Sequence, residues 1–473
     1  MSETENGNKG DLLLFQLGPV QEFIVQAAEV SDLWAGSYLL SSLMWAGLDV
    51  IENKGDAVIF PNLRDGKVAE ALAQKIPTIP NRFLAHVPAG EGMVVAGKVK
   101  AAIRTRLRQF GVEAQLPKEG GSQLEQFPQM TVAVLENPTG NFAGDDGDYK
   151  RITRRMALRR NLRDFEPWCE TAPLGNGKDF LSGKETALKH RRGAMNLIKK
   201  RLGETHSIAI NYPDNDKYIA VVSMDGDKMG ERLSSMASEA EHRQFSANLA
   251  AFAMSVGSIV EKHGGSLIYA GGDDVLAVLP AKKAIAAAID LQKKFGEVVG
   301  GSVSAGIAVG HEKALLQDLV ARAKSAEHKA KHEHDRDALV VSVYKRSGET
   351  VQWGGKWNSP GLTLLHELND VLHDDLSNRF PYKLAALLRP YEVEKLDENG
   401  IAEMSGVILA EVDHALEQSQ LGEKRSFIGE EIKAYLNFTY PDEDGQKKRV
   451  KPSDFMNLFL CETFINRPRE EQE

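Results

Sequence analysis

The chain has 473 residues, more than one compact core accommodates, so two to four domains are expected. Its 58 Lys and Arg against 67 Asp and Glu give a net charge of −9, which argues against wholesale coating of nucleic acid but allows local basic patches. Only Cys169 and Cys461 occur, so neither a disulfide framework nor a four-cysteine zinc site can form within one chain, and a reducing cytoplasm fits. No apolar run reaches the ~18 to 20 residues of a membrane span, and the polar residues 1–10 lack a signal peptide's apolar core. They read as a disordered tail.

Residues 11–17 form an apolar strand ended by Gly18-Pro19, and apolar spacing predicts helices over 20–30 and, behind an N-capping Ser31, to about residue 51. Strands are expected at 57–60, 82–87 and 130–135, with a helix over 91–110, so residues 11–140 make an α/β layer domain. The composition then changes. Lys150, Arg151, Arg154, Arg155, Arg159, Arg160 and Arg163 crowd into one short stretch. They could grip a phosphate backbone, or they could be the solvated face of a helix whose Ile152, Met156 and Leu158 pack inward. Residues 168–206 read as an irregular connector ending in a helix near 194–202, which makes 141–204 a basic linker.

A buried strand at 218–223 opens a second domain, 205–346, with a helix over 239–263, strands on either side of residue 272, a helix over 281–298, a strand at 302–309, a helix over 315–332 and a strand at 338–343. This order nearly repeats that of the first domain, and an internal duplication is expected. Beyond it, 353–360 reads as a loop. Helical pieces at 362–371, 382–388, 407–418 and 430–436 make a third, mostly helical domain over 347–473, with a frayed end.

The centre of the chain is Tyr269-Ala270-Gly271-Gly272-Asp273-Asp274, where two apolar runs flank a tip that reads as a β-hairpin presenting two carboxylates. Its glycines supply positive φ and let a ligand approach, and the adjacent aspartates make sense if a divalent cation sits between them and a phosphate. An ordinary solvated turn has the same letters. Met224-Asp225-Gly226-Asp227-Lys228-Met229-Gly230 is the second informative stretch: a strand end carrying carboxylates, then a helix start whose N–H groups suit phosphate. Asp225 and Asp273 are 273 − 225 = 48 residues apart, enough for a strand, a crossover and a return to a neighbouring strand. Asp225, Asp273 and Asp274 could hold two divalent ions, Mg²⁺ or Mn²⁺, with Gly226, Asp227, Lys228, Met229, Gly230, Gly271, Gly272 and Ser304 around the nucleotide. Lys331 either neutralises phosphate charge or is a solvated lysine. No Ser-His or Cys-His arrangement is evident. In-line attack by a ribose hydroxyl on an α-phosphate, displacing pyrophosphate, is the natural reaction.

These two stretches, with Ser304-Ala305-Gly306-Ile307, resemble in order and spacing the palm shared by GGDEF and class III nucleotide cyclases. Residues 17–24 (Leu-Gly-Pro-Val-Gln-Glu-Phe-Ile) and 32–41 (Asp-Leu-Trp-Ala-Gly-Ser-Tyr-Leu-Leu-Ser), with Phe60-Pro61 and Pro80-Asn81-Arg82-Phe83-Leu84-Ala85, narrow the resemblance to the large palm subunit of type III-B (Cmr) CRISPR effector complexes over residues 11–345. The resemblance implies an α+β, ferredoxin-like fold in two tandem palms. It implies a cytoplasmic enzyme that polymerises ATP into cyclic oligoadenylate inside a ribonucleoprotein of other Cmr subunits, crRNA and target RNA, with no membrane partner. The first palm, which lacks acidic residues at its own tip, would offer a second nucleotide surface through residues 18–21 and 32–41, unless these only pack between domains. Transfer of AMP to another acceptor, a non-catalytic scaffold and a free-standing diguanylate cyclase are the competing readings. The family's HD nuclease domain is not expected, since the chain starts at the first palm. His334-Asp335 and His373-Asp374 read as solvated surface. No zinc is expected, because Cys169 stands alone where a cysteine cluster would be.

Overall fold

In the computed structural model the described residues are 10–27, 29–116, 121–161, 194–205, 217–365, 380–417 and 424–466. Cys169, His373-Asp374, the first nine residues and the end beyond 466 lie outside them.

The first part of the chain runs β1 (Asp11–Gly18), α1 (Gln21–Val25), α2 (Val30–Asp49), α3 (Lys54–Ala57), β2 (Val58–Phe60), α4 (Lys67–Ala73), β3 (Arg82–Val87), α5 (Gly92–Glu113), α6 (Gly121–Gln126) and β4 (Gln129–Leu135). Helices α7 (Asp148–Asn161) and α8 (Ala194–Glu204) follow. The second part runs β5 (Tyr218–Gly226), α9 (Met229–Ser235), α10 (Glu239–Lys262), β6 (Ser266–Gly271), β7 (Asp274–Pro280), α11 (Ala284–Val298), β8 (Val303–His311), α12 (Leu316–His332), β9 (Ala338–Tyr344) and β10 (Thr350–Lys356). Last come α13 (Phe380–Leu388), α14 (Glu398–Glu417), α15 (Lys424–Asn437), the short pair β11 (Thr439–Pro441) and β12 (Lys447–Arg449), and α16 (Pro452–Asn466).

One sheet has the order β2-β3-β1-β4, and the other β10-β9-β8-β5-β7-β6. If the four strands of each repeat are numbered in chain order, β4-β1-β3-β2 and β8-β5-β7-β6 are both fourth-first-third-second. That is the ferredoxin-like order, and its recurrence is what a duplicated domain predicts. The second sheet is extended by β9, parallel to β8, and by β10, antiparallel to β9. The chain divides into two compact units. One comprises 1–209, 228–257 and 267–275, and the other 210–227, 258–266 and 276–473. Most of α10 and the hairpin tip therefore group with the first sheet.

Several local expectations change. The predicted loop after residue 352 is occupied by β10, whose Val351 and Trp353 are buried in alternation and whose register against β9 is continuous from Thr350↔Tyr344 to Lys356↔Ala338. Gly354-Gly355 read as loop letters, but a Cβ at Gly354 would stand 2.2 Å from the His334 ring. His334 itself is buried and not solvated, and Asp335 is bonded to Lys448. In α7, Ile152 and Met156 pack inward as expected, whereas Leu158 is exposed.

Helix α16 is not among the helical pieces expected from the sequence, and it carries the polar residues Asp454, Glu462, Thr463 and Asn466. All four are buried. Glu462 Oε1 accepts a bond from Asn466 Nδ2 at 2.9 Å, but its Oε2 has no partner, and burial pushes the carboxyl up to about 8. Burial likewise raises Asp454 to about 7. Both folded-state values lie above the ordinary carboxylate range, so the native state holds these protons more tightly than the unfolded chain. The stability they contribute is full below about pH 4 and is lost as pH rises through 7 to 8. Glu462→Gln, neutral at every pH, should flatten that decline and raise stability at pH 8 by a few kcal/mol, read from denaturant midpoints across pH.

Candidate active site at the strand ends and the hairpin tip

Strand β5 ends in Asp225-Gly226, paired antiparallel with Ser304 and Val303 of β8. Asp225 lies on the same face of the strand as Ser223, two residues before it. Helix α12 packs over that face. Lys331 Nζ bonds Asp225 Oδ2 and also pairs with Glu327 Oε1 at 3.3 Å, while Ser223 donates to Glu327 Oε2 at 2.6 Å. Burial works against a charge on Lys331, but Asp225 and Glu327 outweigh it and hold its pKa above the usual lysine value.

Asp227, only two residues from Asp225, is engaged differently. Its carboxylate accepts from Ser304 Oγ at 2.7 Å, Ser302 Oγ at 2.8 Å and the Asp337 amide at 3.0 Å, and its own amide donates to the Ser302 carbonyl. This buried set ties the strand-to-helix turn to the sheet. Ser304 spends its hydroxyl there. Lys228 then turns the chain with φ of +54°, Met229 is buried, and Gly230 faces open space.

At the tip, β6 and β7 are joined through Gly272 and Asp273. Gly272 has φ of +86°, which favours glycine, but Gly271 is needed for another reason: a Cβ there would lie 1.6 Å from the Tyr269 hydroxyl. The phenol of Tyr269 therefore folds back over Gly271. Burial and the Asp274 and Asp273 carboxylates push its pKa far above the ordinary tyrosine value. Tyr149 is also raised by burial, lowered in part by Arg82 and raised again by Asp273. Arg82, Tyr149, Tyr269 and Asp273 thus share one electrostatic neighbourhood, to which a strand of the first sheet contributes the cation.

Beside the tip is a small cleft with a cavity volume of about 10 Å³, the room of roughly one water molecule. Gly272 forms part of its wall, together with Phe60, Pro61, Thr78 and Pro80 from the first part of the chain and Ser246, Leu249 and Ala253 from α10. The α10 residues recur at helical spacing and line one face. The hydroxyls of Thr78 and Ser246 are buried there without a hydrogen-bond partner. Such groups are rare in folded proteins and mark places where a partner is missing. Neither residue was singled out from the sequence. The only signal was a row of small side chains along α10, which ordinary helix packing also produces.

The 32–41 stretch, by contrast, is largely core. Leu33, Trp34, Ala35, Ser37, Leu39 and Ser41 of α2 are buried; Ser37 donates to its own helix and Trp34 Nε1 to the Lys75 carbonyl.

The structure thus brings Asp225, Glu327 and Lys331 together and gathers Asp273, Tyr269, Tyr149 and Arg82, with the cleft, in the other compact unit.

Two family models match: the second palm domain of Cas10/Cmr2 over residues 218–340, and the N-terminal region of CRISPR-associated protein Cmr2 over 12–111. A curated relative, the CRISPR system Cmr subunit Cmr2 of Pyrococcus furiosus, is 30% identical across 93% of this chain and 73% of its own length. The chain belongs to the Cmr2 family. It is the large subunit of a type III-B CRISPR system. Cmr2-type architecture extends to solved structures. Type III-B Cmr-beta in its apo state matches with a TM-score of 0.63 at 12% identity, covering 97% of this chain and 82% of that one, and Cmr-beta bound to cognate target RNA matches at 0.61 and 11%, covering 98% and 84%. A Csm1–Csm4 cassette in complex with cA4 matches at 0.54 and 13% identity, covering 97% and 70%. At these identities the likeness is one of fold.

The two tip glycines have separable costs. Gly272→Ala should destabilise by about 1 kcal/mol through backbone strain alone. Gly271→Ala should cost about 2 kcal/mol or more because it evicts the Tyr269 ring, and that excess should disappear in a Tyr269→Ala background, as a double-mutant cycle of denaturant midpoints would show.

Proposed function

We propose that this chain is the catalytic large subunit of an RNA-guided type III antiviral complex and that, when target RNA binds, it converts ATP to a cyclic oligoadenylate by nucleotidyl transfer. It would work in the cytoplasm with other Cmr subunits, crRNA and target RNA. Among the described residues no helix is long and apolar enough to cross a membrane.

The observation that carries the reading is the hairpin tip, where Gly272 with φ of +86° closes a turn that presents Asp273 and Asp274. A Cβ at Gly272 would meet nothing closer than Leu249 at 4.0 Å, so a phosphate-bearing ligand can approach the turn, and Arg82 adds a cation to the same electrostatic neighbourhood. The Csm1–Csm4 cassettes of the same fold, solved with cA4, pppApA and AMPPNP, are consistent with an adenine nucleotide.

Asp225, Asp273 and Asp274 are hard oxygen donors of the kind Mg²⁺ or Mn²⁺ takes. Among the described residues no three His, Cys, Asp or Glu groups form a ready cage. A few carboxylates completed by substrate phosphates are how Mg²⁺ usually binds, so the donor set fits an ion held first by the carboxylates, whose coordination the phosphates of a nucleotide would complete. Such ions would offset phosphate charge and lower the pKa of the attacking hydroxyl. The chain's own part is to present the tip carboxylates on the Gly271-Gly272 turn, to hold Lys331 as a cation beside Asp225, and to fix the turn after Asp225 through the buried Asp227 set. Attack of a ribose hydroxyl on an α-phosphate then forms one phosphodiester and releases pyrophosphate.

The assembled complex, given target RNA and labelled ATP, should release pyrophosphate and yield a product of cyclic oligoadenylate mass. Asp273→Ala with Asp274→Ala should abolish both, and survival of turnover would remove these residues from the site. A mass showing AMP on another acceptor, or no product, would favour the transferase or scaffold reading.

The two unpaired hydroxyls make a separate prediction. Thr78→Val and Ser246→Ala each delete an unsatisfied buried hydroxyl, so each should stabilise the chain by about 1 kcal/mol, read from denaturant midpoints.

A further inference from the structure

The polar contacts between β5 and α12 form a two-rung ladder. Ser223 meets Glu327 on one rung and Asp225 meets Lys331 on the next, with Lys331 also reaching back to Glu327. The spacing is matched on both sides. Two residues of strand advance about 6.6 Å and four residues of helix about 6 Å. The rungs meet because α12 lies unusually close to the sheet. Gly306, paired with Ser223 across β5 and β8, leaves no room for a side chain: a Cβ there would be 2.1 Å from the Glu327 amide and 2.2 Å from the Ala323 carbonyl.

Lys331 is therefore a cation already seated on Asp225, and it is shared with a second carboxylate that a buried serine holds in place. A divalent ion approaching Asp225 competes with that ammonium for the charge of one carboxylate. The displaced ammonium needs no new partner, because Glu327 stays where Ser223 anchors it.

We propose that Ser223 and Glu327 are positioning residues: they hold the Lys331 ammonium as a placeholder on Asp225 and retain it when that carboxylate is given up to a divalent cation. The proposal rests on the reading that Asp225 is a metal ligand. It assigns to Ser223 and Glu327 control over how easily the site loads, a role distinct from contact with the nucleotide. Ser223→Ala is the informative variant because it leaves every charge in place and only frees Glu327.

The test is Mn²⁺ binding to the full-length chain without nucleotide, followed by the loss of the free-ion electron paramagnetic resonance signal, with thermal midpoints showing that each variant is folded. Ser223→Ala should weaken Mn²⁺ binding by on the order of three- to tenfold, the worth of one hydrogen bond, and Glu327→Gln by at least as much. Lys331→Gln should tighten binding, and in that background Ser223→Ala should have no effect. Ser223→Cys, similar in size and a poor donor, replaces the alanine variant if the latter fails to fold. Equal binding by wild type and Ser223→Ala, or an undiminished Ser223→Ala effect when Lys331 is already glutamine, overturns the proposal. Asp225→Asn separates the two levels. If it abolishes Mn²⁺ binding while Ser223→Ala is neutral, only the positioning role falls. If it changes nothing, or if no variant binds Mn²⁺, the metal reading of Asp225 falls and the proposal with it.

Discussion

Helix α12 rests on its sheet at a point where only a hydrogen atom fits, and much of the second unit's polar architecture depends on that contact. With Gly306 beneath it, the helix backbone approaches the strands closely enough for Glu327 and Lys331 to meet Ser223 and Asp225. A larger residue would lift the helix by more than a hydrogen bond tolerates. The same sheet face would then be an ordinary apolar layer, and the carboxylate at the end of β5 would face solvent without a counter-charge. One missing side chain thus sets the electrostatics of a residue on the neighbouring strand.

The hairpin tip is organised by a different compromise. Its glycines are not interchangeable, since one provides a turn and the other makes room for the Tyr269 phenol. Close by, Thr78 and Ser246 leave two hydroxyls unsatisfied in a folded chain that elsewhere pairs many of its buried polar groups, as the Asp227 set shows. Each such group costs stability, as the unpaired Glu462 Oε2 of α16 also does.

Much of this was legible in the sequence. Apolar runs broken by glycine marked β5, β6, β7 and β8 because buried strands have few other ways to be written. The Gly-Gly-Asp-Asp tip was readable as a hairpin because its turn chemistry is local. What escaped notice depended on distant partners. Trp353 lies in a strand although Gly354-Gly355 signals a loop, because His334 fills the space where side chains would be. Asp227 looked like a ligand for a nucleotide, but the serines that occupy its carboxylate come 75 and 77 residues later. In α16, Asp454, Glu462 and Asn466 are buried by contacts that no periodicity reveals. The cleft hydroxylic pair was invisible for the same reason: Thr78 and Ser246 become neighbours only in three dimensions.

Strand β6 is the last in its sheet, and an exposed last strand invites pairing with whatever passes. Here the Ala270 amide donates to the Pro77 carbonyl at 3.2 Å, one residue before Thr78 and a few before Arg82. The strand that carries the two-carboxylate tip is thereby stitched to the segment that lines the cleft. A displacement of residues 77–80 would be felt as tension on Ala270, and so on Gly271 and Gly272. That one backbone bond ties the edge strand of the tip to the wall of the cleft and closes the pairing site an edge would otherwise leave open.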